Sequence, residues 1–176
     1  MVRMDEFKGD KAKFLPKRTF KDKLSLGKGK DEIDLYYFGR GHTNGDTIIV
    51  FPALRTMHSG DLFAQKMLPL VDTMNGGSIL DYPQTLSKAA AAIKDVDTVI
   101  PGHRQVGTFN EFKEYASFIK DFVDFARASM NSKKTVAQAA TEYKVPTKYS
   151  GYVVTIDPQL ITAERILQIA YDEMKK

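Results

Sequence analysis

The sequence predicts a mixed α/β fold in which strands come first and helices then alternate with them. In the first part of the chain, short segments alternate apolar and polar residues or carry β-branched runs, separated by glycine and proline turns. In the second part, alanine-rich stretches and apolar residues at helical spacing dominate. The chain has 176 residues, 43% of them hydrophobic and 27% charged, so it can bury a core. We expect a single domain over residues 1–176.

The strand pattern is clearest where β-branched residues cluster. Residues 47–51 (TIIVF) form a continuous apolar run, which is typical of a strand covered on both faces. Alternation predicts a strand at 19–26 and another at 33–37, with a turn at 27–30 between them. Shorter patterns predict strands at 56–58, closing at SGD (59–61), and at 96–100, stopped by PGH (101–103).

Helices are predicted from spacing, composition and capping residues. Residues 109–130 carry an apolar stripe of three or more turns, and 84–94 (QTLSKAAAAIK) is rich in alanine. A further helix is expected at 62–70. Ser132 can cap a helix that runs through Tyr143, and Asp157-Pro158 is a cap followed by proline at the first helical position. We therefore expect residues 132–176 to form a helical tail.

Composition excludes several classes of protein. The chain has no cysteine, which excludes a disulfide scaffold, thiolate zinc sites and a cysteine nucleophile. The sequence contains no window of 18 uninterrupted apolar residues, so no transmembrane helix is predicted. Its first residues lack the apolar stretch of a signal peptide. The compartment stays open, with a cytoplasmic location as the default for a soluble chain.

The positive charge is concentrated near the start of the chain. Residues 1–30 carry ten Lys/Arg against four Asp/Glu, whereas the whole chain has a net charge of +4. A basic arm at 1–18 could contact nucleic acid or an anionic membrane. Its lysines are not interleaved with stacking aromatics, which favours a solvated segment beside the first strand. We expect neither a nucleic-acid nor a membrane partner.

Three potential metal ligands each follow an apolar strand and lie beside a glycine. They are His42 in GHTNGD (41–46), Asp61 in SGD (59–61) and His103 in PGH (101–103). Glycine allows a sharp turn and a close approach to a ligand. Two imidazoles and one carboxylate suit Zn, Fe, Mn or Co, and an incomplete shell leaves room for water and substrate. Each histidine taken alone could instead be a structural hydrogen-bonding residue.

Taken in order, these segments resemble the second half of the metallo-β-lactamase fold hydrolases. That family shows G-x-x-H-T-x-G-D after a strand, then a strand ending in G-D, then a strand ending in P-G-H. The same pattern stands here at 39–46, 60–61 and 101–103, and the resemblance covers roughly residues 14–104. It implies an α/β architecture that is half of an αββα sandwich, with a mixed sheet covered by helices.

The resemblance also implies roles for individual residues. His42 would ligate a first metal ion, Asp61 would bridge two ions as the catalytic carboxylate, and His103 would ligate the second ion. Thr43 and Asp46 would orient these ligands through hydrogen bonds. The implied cofactor is one or two zinc ions, with Fe or Mn as alternatives. The implied reaction is hydrolysis of an ester, thioester, lactone or amide of a small-molecule substrate by metal-bound hydroxide.

One family motif is missing. The metal-binding motif H-x-H-x-D-H belongs upstream of the first segment, and no H-x-H occurs in these 176 residues. Half of a sheet-on-sheet sandwich would expose an apolar sheet face, which predicts self-association or a missing N-terminal half as partner. The chain would then be an incomplete fragment with weak or no activity. The alternative is a non-catalytic remnant acting as a binding or self-assembly module.

Other polar residues near these motifs allow two interpretations. His58 is expected to point away from Met57 and Ser59, as a solvent-facing or hydrogen-bonded strand histidine rather than a ligand. Three basic residues near the ligand loops could bind an anionic substrate or simply be solvated: Arg40, Lys66 and Arg104. A mononuclear iron oxygenase is a weaker alternative, because that class uses a close H-x-[DE] pair, which is absent here.

Overall fold

The computed structural model describes residues 7–176 and shows a mixed α/β fold. Its strands are β1 (Lys23–Leu26), β2 (Ile33–Tyr36), β3 (Ile48–Phe51), β4 (Thr56–Gly60), β5 (Thr98–Pro101) and β6 (Gly107–Thr108). Its helices are α1 (Tyr82–Ala92), α2 (Phe109–Asn131), α3 (Val136–Glu142) and α4 (Ala163–Met174). The predicted fold class is confirmed. The first six residues of the predicted basic arm lie outside the described residues.

The six strands form one sheet in sequential order. Neighbouring strands are antiparallel except β4 and β5, which are parallel. A parallel pair needs a long crossover, and here residues 61–97 supply it with α1 inside. Because β4 and β5 run in the same direction, their carboxyl ends meet at one edge of the sheet. The Gly102 N–H extends this pairing by donating to the Gly60 carbonyl at 2.9 Å.

One face of the sheet packs against the helices. The strand register aligns Val50, Met57 and Val99, each at most 5% exposed. The long helix α2 covers this face with a stripe of fully or almost fully buried residues: Phe112, Tyr115, Phe118, Ile119 and Phe122. This stripe is the one predicted from helical spacing, and it places the core between the sheet and the helices.

The opposite face of the sheet is apolar and only partly covered. The register places five half-buried residues in one row across the strands: the apolar Leu24, Leu35, Ile49 and Ile100, with His58 between the last two. We call this row the outer sheet face. The prediction of a strand covered on both faces at 47–51 is therefore only partly met, because Ile48 and Val50 are buried whereas Ile49, on this side, is half-buried. The half-sandwich prediction of an incompletely covered apolar face agrees with it.

The predicted helix at 62–70 is wrong. The segment is irregular, and its buried residues Leu62, Phe63 and Leu68 enter the core without helical hydrogen bonds. Its backbone bonds to a distant segment instead, with Leu68 N–H donating to Val154 O at 3.1 Å and Val153 N–H donating to Lys66 O at 2.9 Å. Pro69 also opposes a helix here because it disfavours helical geometry at the preceding residue.

Two predicted helix starts in the tail are also wrong. Ser132 follows the last turn of α2, and α3 begins after Thr135, whose hydroxyl accepts from Gln138 N–H at 3.2 Å. Asp157 caps only a turn, and α4 begins after Thr162. In both places a threonine three residues or more downstream supplies the cap. The first strand is shorter than predicted, beginning at Lys23 instead of residue 19.

Candidate functional site

The three predicted ligands come together at the edge where β4 and β5 end. Asp61 lies between the two imidazoles: His42 Nε2 is 3.4 Å from Asp61 Oδ2, and His103 Nε2 is 3.4 Å from Asp61 Oδ1. The three residues come from three separate loops, and the parallel alignment of β4 with β5 brings two of those loops together. Their roles as ligands remain a prediction, whereas their proximity is a feature of the fold.

The His42 ring is held in one orientation. Its Nδ1 lies 2.9 Å from the carbonyl oxygen of Leu70. A carbonyl oxygen only accepts, so Nδ1 carries the proton and donates it. The lone pair of the neutral ring is then on Nε2, the atom that faces Asp61. A ring nitrogen bonded to a backbone carbonyl is the usual way in which proteins orient a metal-ligating histidine.

Thr43 and Asp46 fix the loop that carries His42. The Asp46 carboxylate accepts from Thr43 N–H at 2.9 Å and from the Thr43 hydroxyl at 2.7 Å. Burial raises the pKa of Asp46, and the hydrogen bonds from Thr43 oppose that rise. These contacts close a tight loop on the sequence GHTNGD, as expected from its glycine and aspartate content.

A second segment, residues 70–78, supports the same loop from outside. Asp72 N–H donates to His42 O at 2.8 Å, and Ser78 N–H donates to Gly41 O at 2.9 Å. Gly77 leaves no room for a side chain, because a Cβ there would lie 2.2 Å from His42 O. The helix α4 secures this segment through Glu173, whose carboxylate accepts from Ser78 Oγ at 2.6 Å and from Ile79 N–H at 3.1 Å.

Asp61 is positioned by its own backbone and by a close glycine. It follows Gly60, whose φ of +53° is in the left-handed region that favours glycine. The buried hydroxyl of Tyr82 donates to Asp61 O at 3.0 Å. A Cβ on Gly102 would lie 1.9 Å from Asp61 Oδ1, so only glycine lets the carboxylate sit against the β5 end.

His103 is much more open than His42. Its side chain is 81% exposed, against 15% for His42 and 33% for Asp61. It follows β5 after the single residue Gly102, and the next residue, Arg104, is half-buried. The site therefore has one fixed imidazole, one shared carboxylate and one imidazole exposed to solvent.

The remaining candidate residues lie elsewhere or have other partners. His58 lies on the outer sheet face, where its Nδ1 accepts from Gly60 N–H at 3.1 Å, which agrees with the prediction of a hydrogen-bonded strand histidine. Arg40 forms an ion pair with Asp81, with a shortest distance of 2.7 Å. Lys66 lines a separate cavity beside Glu111.

A cavity opens directly beside the three predicted ligands. Its volume is about 310 Å³, at the lower end of the range for small-molecule sites, roughly 300–1,000 Å³. Besides the ligands, its wall includes Arg104 and Asp157, together with an apolar group made of Phe63, Ala64, Met67, Leu70, Leu160 and Ile161. Seven of these eight further wall residues come from the irregular segment after β4 and from the C-terminal tail.

The donor chemistry suits zinc, but the donor number is small. Imidazole nitrogen and carboxylate oxygen are common zinc ligands, and the bond from His42 to Leu70 orients one of them. Within residues 7–176, however, no group of three or more His, Cys, Asp or Glu side chains is arranged to hold a metal ion. The residues present therefore fit part of a metal site.

Three supporting groups were not predicted from the sequence. They are the Leu70 carbonyl, the Tyr82 hydroxyl and the Glu173 carboxylate. Each acts on a residue 21 or more positions away, and none belongs to a local motif. The burial of Tyr82, at 0% exposure, explains why its hydroxyl needs an internal partner, but that burial is seen only in the structure.

Curated relatives of this chain are metallo-β-lactamases. It is 19% identical over 110 residues to the metallo-β-lactamase type 2 of Bacteroides fragilis, covering 62% of this chain and 44% of that protein. It is 26% identical over 85 residues to the metallo-β-lactamase type 2 of Elizabethkingia meningoseptica, covering 48% of this chain and 34% of that protein. The chain thus spans less than half the length of either relative. No family model matches it.

Solved structures agree on the fold. The DIM-1 metallo-β-lactamase superposes with a TM-score of 0.50 and 20% identity, over 57% of this chain and 46% of that one. The inverting sec-alkylsulfatase Pisa1 from Pseudomonas sp. superposes with a TM-score of 0.72 and 14% identity, over 88% of this chain and 26% of that one. The fold and the site together define a mixed α/β protein with potential metal-ligating residues at one edge of its sheet. More particularly, it carries a partial metallo-β-lactamase-fold domain.

Proposed function

We propose that this chain is part of a metal-dependent hydrolase, in which His42, Asp61 and His103 are metal ligands and the adjoining cavity receives the substrate. The observation that supports this most directly is the placement of the Asp61 carboxylate between the Nε2 atoms of both histidines. The likeness to metallo-β-lactamases supports the hydrolase class.

In this proposal each residue has a defined task. Zinc held by His42, Asp61 and His103 would supply hydroxide near neutral pH and would polarise the bond that is cleaved. His42 presents Nε2 because its Nδ1–H is held by Leu70 O. Asp61 offers one oxygen toward each histidine, so it can serve two neighbouring ions, as the resemblance implies. The apolar wall of the cavity excludes water from the bound substrate.

The remaining ligands must come from other residues. This chain supplies one imidazole for each ion and one carboxylate that the two ions share. A catalytic zinc ion in tetrahedral geometry usually has three protein ligands, so each ion needs at least one ligand more. We propose that a further polypeptide segment packs on the outer sheet face and carries them. That face is half-buried and, apart from His58, apolar, with Leu24, Leu35, Ile49 and Ile100 in its row. The packing segment is either the missing first half of the sandwich or a second copy of the chain.

A non-catalytic binding or self-assembly module is the second candidate. The observation that favours it is the incomplete ligand set within residues 7–176, next to an apolar face that association could cover. Both candidates predict association through the outer sheet face. They differ in whether the three predicted ligands hold a metal ion.

The metal content of the purified chain separates the two candidates. The hydrolase proposal predicts about one zinc ion per chain or more after dialysis against zinc, lost in both His42→Ala and His103→Ala. His58→Ala is the matched control, because this histidine is outside the cavity wall and its Nδ1 accepts from Gly60 N–H. Absence of bound zinc from the wild-type chain, or equal zinc in all variants, would contradict ligation by these residues and favour the module.

Hydrolysis itself is tested with generic substrates. A panel of chromogenic esters, thioesters and lactones should be hydrolysed in the presence of zinc, and the rate should fall to background in Asp61→Asn. Adding the separately expressed first half of a homologous sandwich should raise the rate if completion of the ligand set limits activity. A rate that is identical in wild type and Asp61→Asn would show that the hydrolysis comes from another source.

A further inference from the structure

The cavity contains a cation without a carboxylate partner. The Arg104 guanidinium is half-buried, and its hydrogen bond is from Nη2 to the thioether sulfur of Met67 at 3.2 Å. A thioether is a weak acceptor, and arginine has five N–H donors. In the described part of the chain, no carboxylate oxygen lies within ion-pair distance of Arg104, although Arg40 and Arg55 are both paired.

The two carboxylates in the same cavity wall are already engaged. Asp61 lies between His42 and His103. Asp157 Oδ1 accepts from the backbone N–H groups of Gln159 at 3.2 Å and Leu160 at 3.3 Å. The cavity thus has one permanently charged group whose donors are mostly unused. A partly desolvated charge of this kind is stabilised by a ligand of opposite charge.

The surroundings of Arg104 define the rest of the ligand. Phe63 and Met67 are at most 3% exposed, so they form a fixed apolar wall. Leu160 is 51% exposed and lies on the C-terminal tail at the open side of the cavity. A ligand that fills this space needs an apolar body with an anionic group at one end.

We propose that the cavity binds a small organic carboxylate with an apolar body, with the carboxylate on Arg104 and the body against Phe63, Met67 and Leu160. This inference depends on the proposed function in one respect: it takes the cavity beside the predicted ligands as the substrate site. It narrows the substrate to compounds that carry a carboxylate besides the bond that is cleaved. A planar guanidinium matches a carboxylate with two parallel hydrogen bonds.

Calorimetric titration of the metal-free chain in EDTA tests the inference without zinc. The probes are octanoate, octanol and octylamine, which share an apolar body and differ in the end group. The wild-type chain should bind octanoate at least about tenfold more tightly than octanol, and octylamine more weakly than either. Equal affinities for octanoate and octanol, a preference for octylamine, or no binding of octanoate would overturn the proposal.

Two variants and a control locate the effect. Arg104→Gln should remove the preference for octanoate and leave octanol binding unchanged. Leu160→Asp changes an exposed leucine, so the fold should persist while the affinity for octanol falls. Arg127→Gln, on the exposed side of α2, is the matched control and should bind like the wild type. An octanoate preference that persists in Arg104→Gln would refute the assignment of the carboxylate to Arg104.

These outcomes are separate from those of the zinc experiment. Octanoate selectivity without zinc binding would support the carboxylate cavity and contradict the metallohydrolase. Zinc binding without octanoate selectivity would support the metallohydrolase and contradict this substrate class.

Discussion

The two histidine loops are built differently although they meet at the same carboxylate. His42 is 15% exposed, and its ring and backbone are bonded to the segment that follows β4. His103 is 81% exposed and follows β5 through a single glycine. The His42 side is therefore organised before any ligand binds, whereas a metal ion or a packing partner would have to hold His103 in place.

The glycines beside the two histidine loops also pack differently. On the His42 side, Gly77 packs against backbone atoms, which cannot move away. On the His103 side, Gly102 packs against the end of the Asp61 side chain, which can rotate. Substitutions at the two positions should therefore fail in different ways: the first in stability and the second in ligand geometry.

The largest effect is expected for Gly77→Ala. The added Cβ would lie 2.2 Å from His42 O and 2.9 Å from Asp72 O, so the backbone of both loops must shift. We expect a loss of about 2–4 kcal/mol in the free energy of unfolding, measured by urea denaturation. Gly45→Ala, in the same His42 loop, has open space around the added Cβ and should change stability little. A loss of stability in Gly77→Ala that is as small as the loss in Gly45→Ala would mean that the His42 loop is not rigid.

Gly102→Ala should affect metal binding more than stability. The added Cβ would displace Asp61 Oδ1, which lies 1.9 Å from its position, and the carboxylate would turn away from His103. We expect zinc affinity to fall by about 10–100-fold, with less than about 1 kcal/mol lost in stability. Competition with a chromophoric chelator measures the affinity. Unchanged zinc affinity would show that the Asp61 position is not required for ligation.

Glu173→Gln tests whether the C-terminal helix supports the His42 side. The substitution removes the charge that Ser78 and Ile79 donate to, and we expect a loss of about 1–2 kcal/mol in stability. Asp172→Asn is the control on the same helix, because that carboxylate is exposed and, among the described residues, contacts only side chains three or four positions away. Equal losses of unfolding free energy in the two variants would show that the contacts of Glu173 do not stabilise the His42 side.

The parts of the fold predicted from sequence are those fixed by local patterns. The helix expected at 109–130 is confirmed as α2, because ten of its residues point into one core and repeat at helical spacing. The strand expected at 47–51 is confirmed as β3, in which buried and half-buried residues alternate with the two-residue period of a strand. The helix predicted at 62–70 is wrong because the apolar residues of this segment indicate only that it is buried. The conformation of its backbone depends on hydrogen bonds to residues 153–154, which are distant in the sequence.

The candidate site divides in the same way. Strand-end glycines beside His42, Asp61 and His103 are visible in the sequence, and the fold brings these residues together. The groups that orient them come from elsewhere: Leu70 through its carbonyl and Glu173 from 94 residues beyond Ile79. A backbone carbonyl has no residue type, so no pattern could have identified it. Such contacts follow from the tertiary fold alone.

The smallest effect is expected at Glu111, which caps the helix that follows the His103 loop. Its carboxylate accepts from Thr108 N–H at 2.8 Å and from the Thr108 hydroxyl at 3.0 Å. The hydrogen bond from the Thr108 backbone lowers the pKa of Glu111 below its ordinary value of 4.5, against an opposing contribution from burial. Glu111→Gln should lower the free energy of unfolding at pH 7 by about 0.5–1 kcal/mol.

This contribution has a defined dependence on pH. Because the pKa of Glu111 is lower in the folded state, the unfolded chain binds the proton more readily. The stabilisation is therefore fully present above pH 4.5 and is lost as the pH falls through the folded-state pKa. Urea denaturation at pH 7 and at acidic pH should show the gap between wild type and Glu111→Gln closing on acidification, while Asp10→Asn, an exposed control, shows no gap at pH 7. A gap that stays constant with pH would mean that the cap acts through its shape rather than its charge.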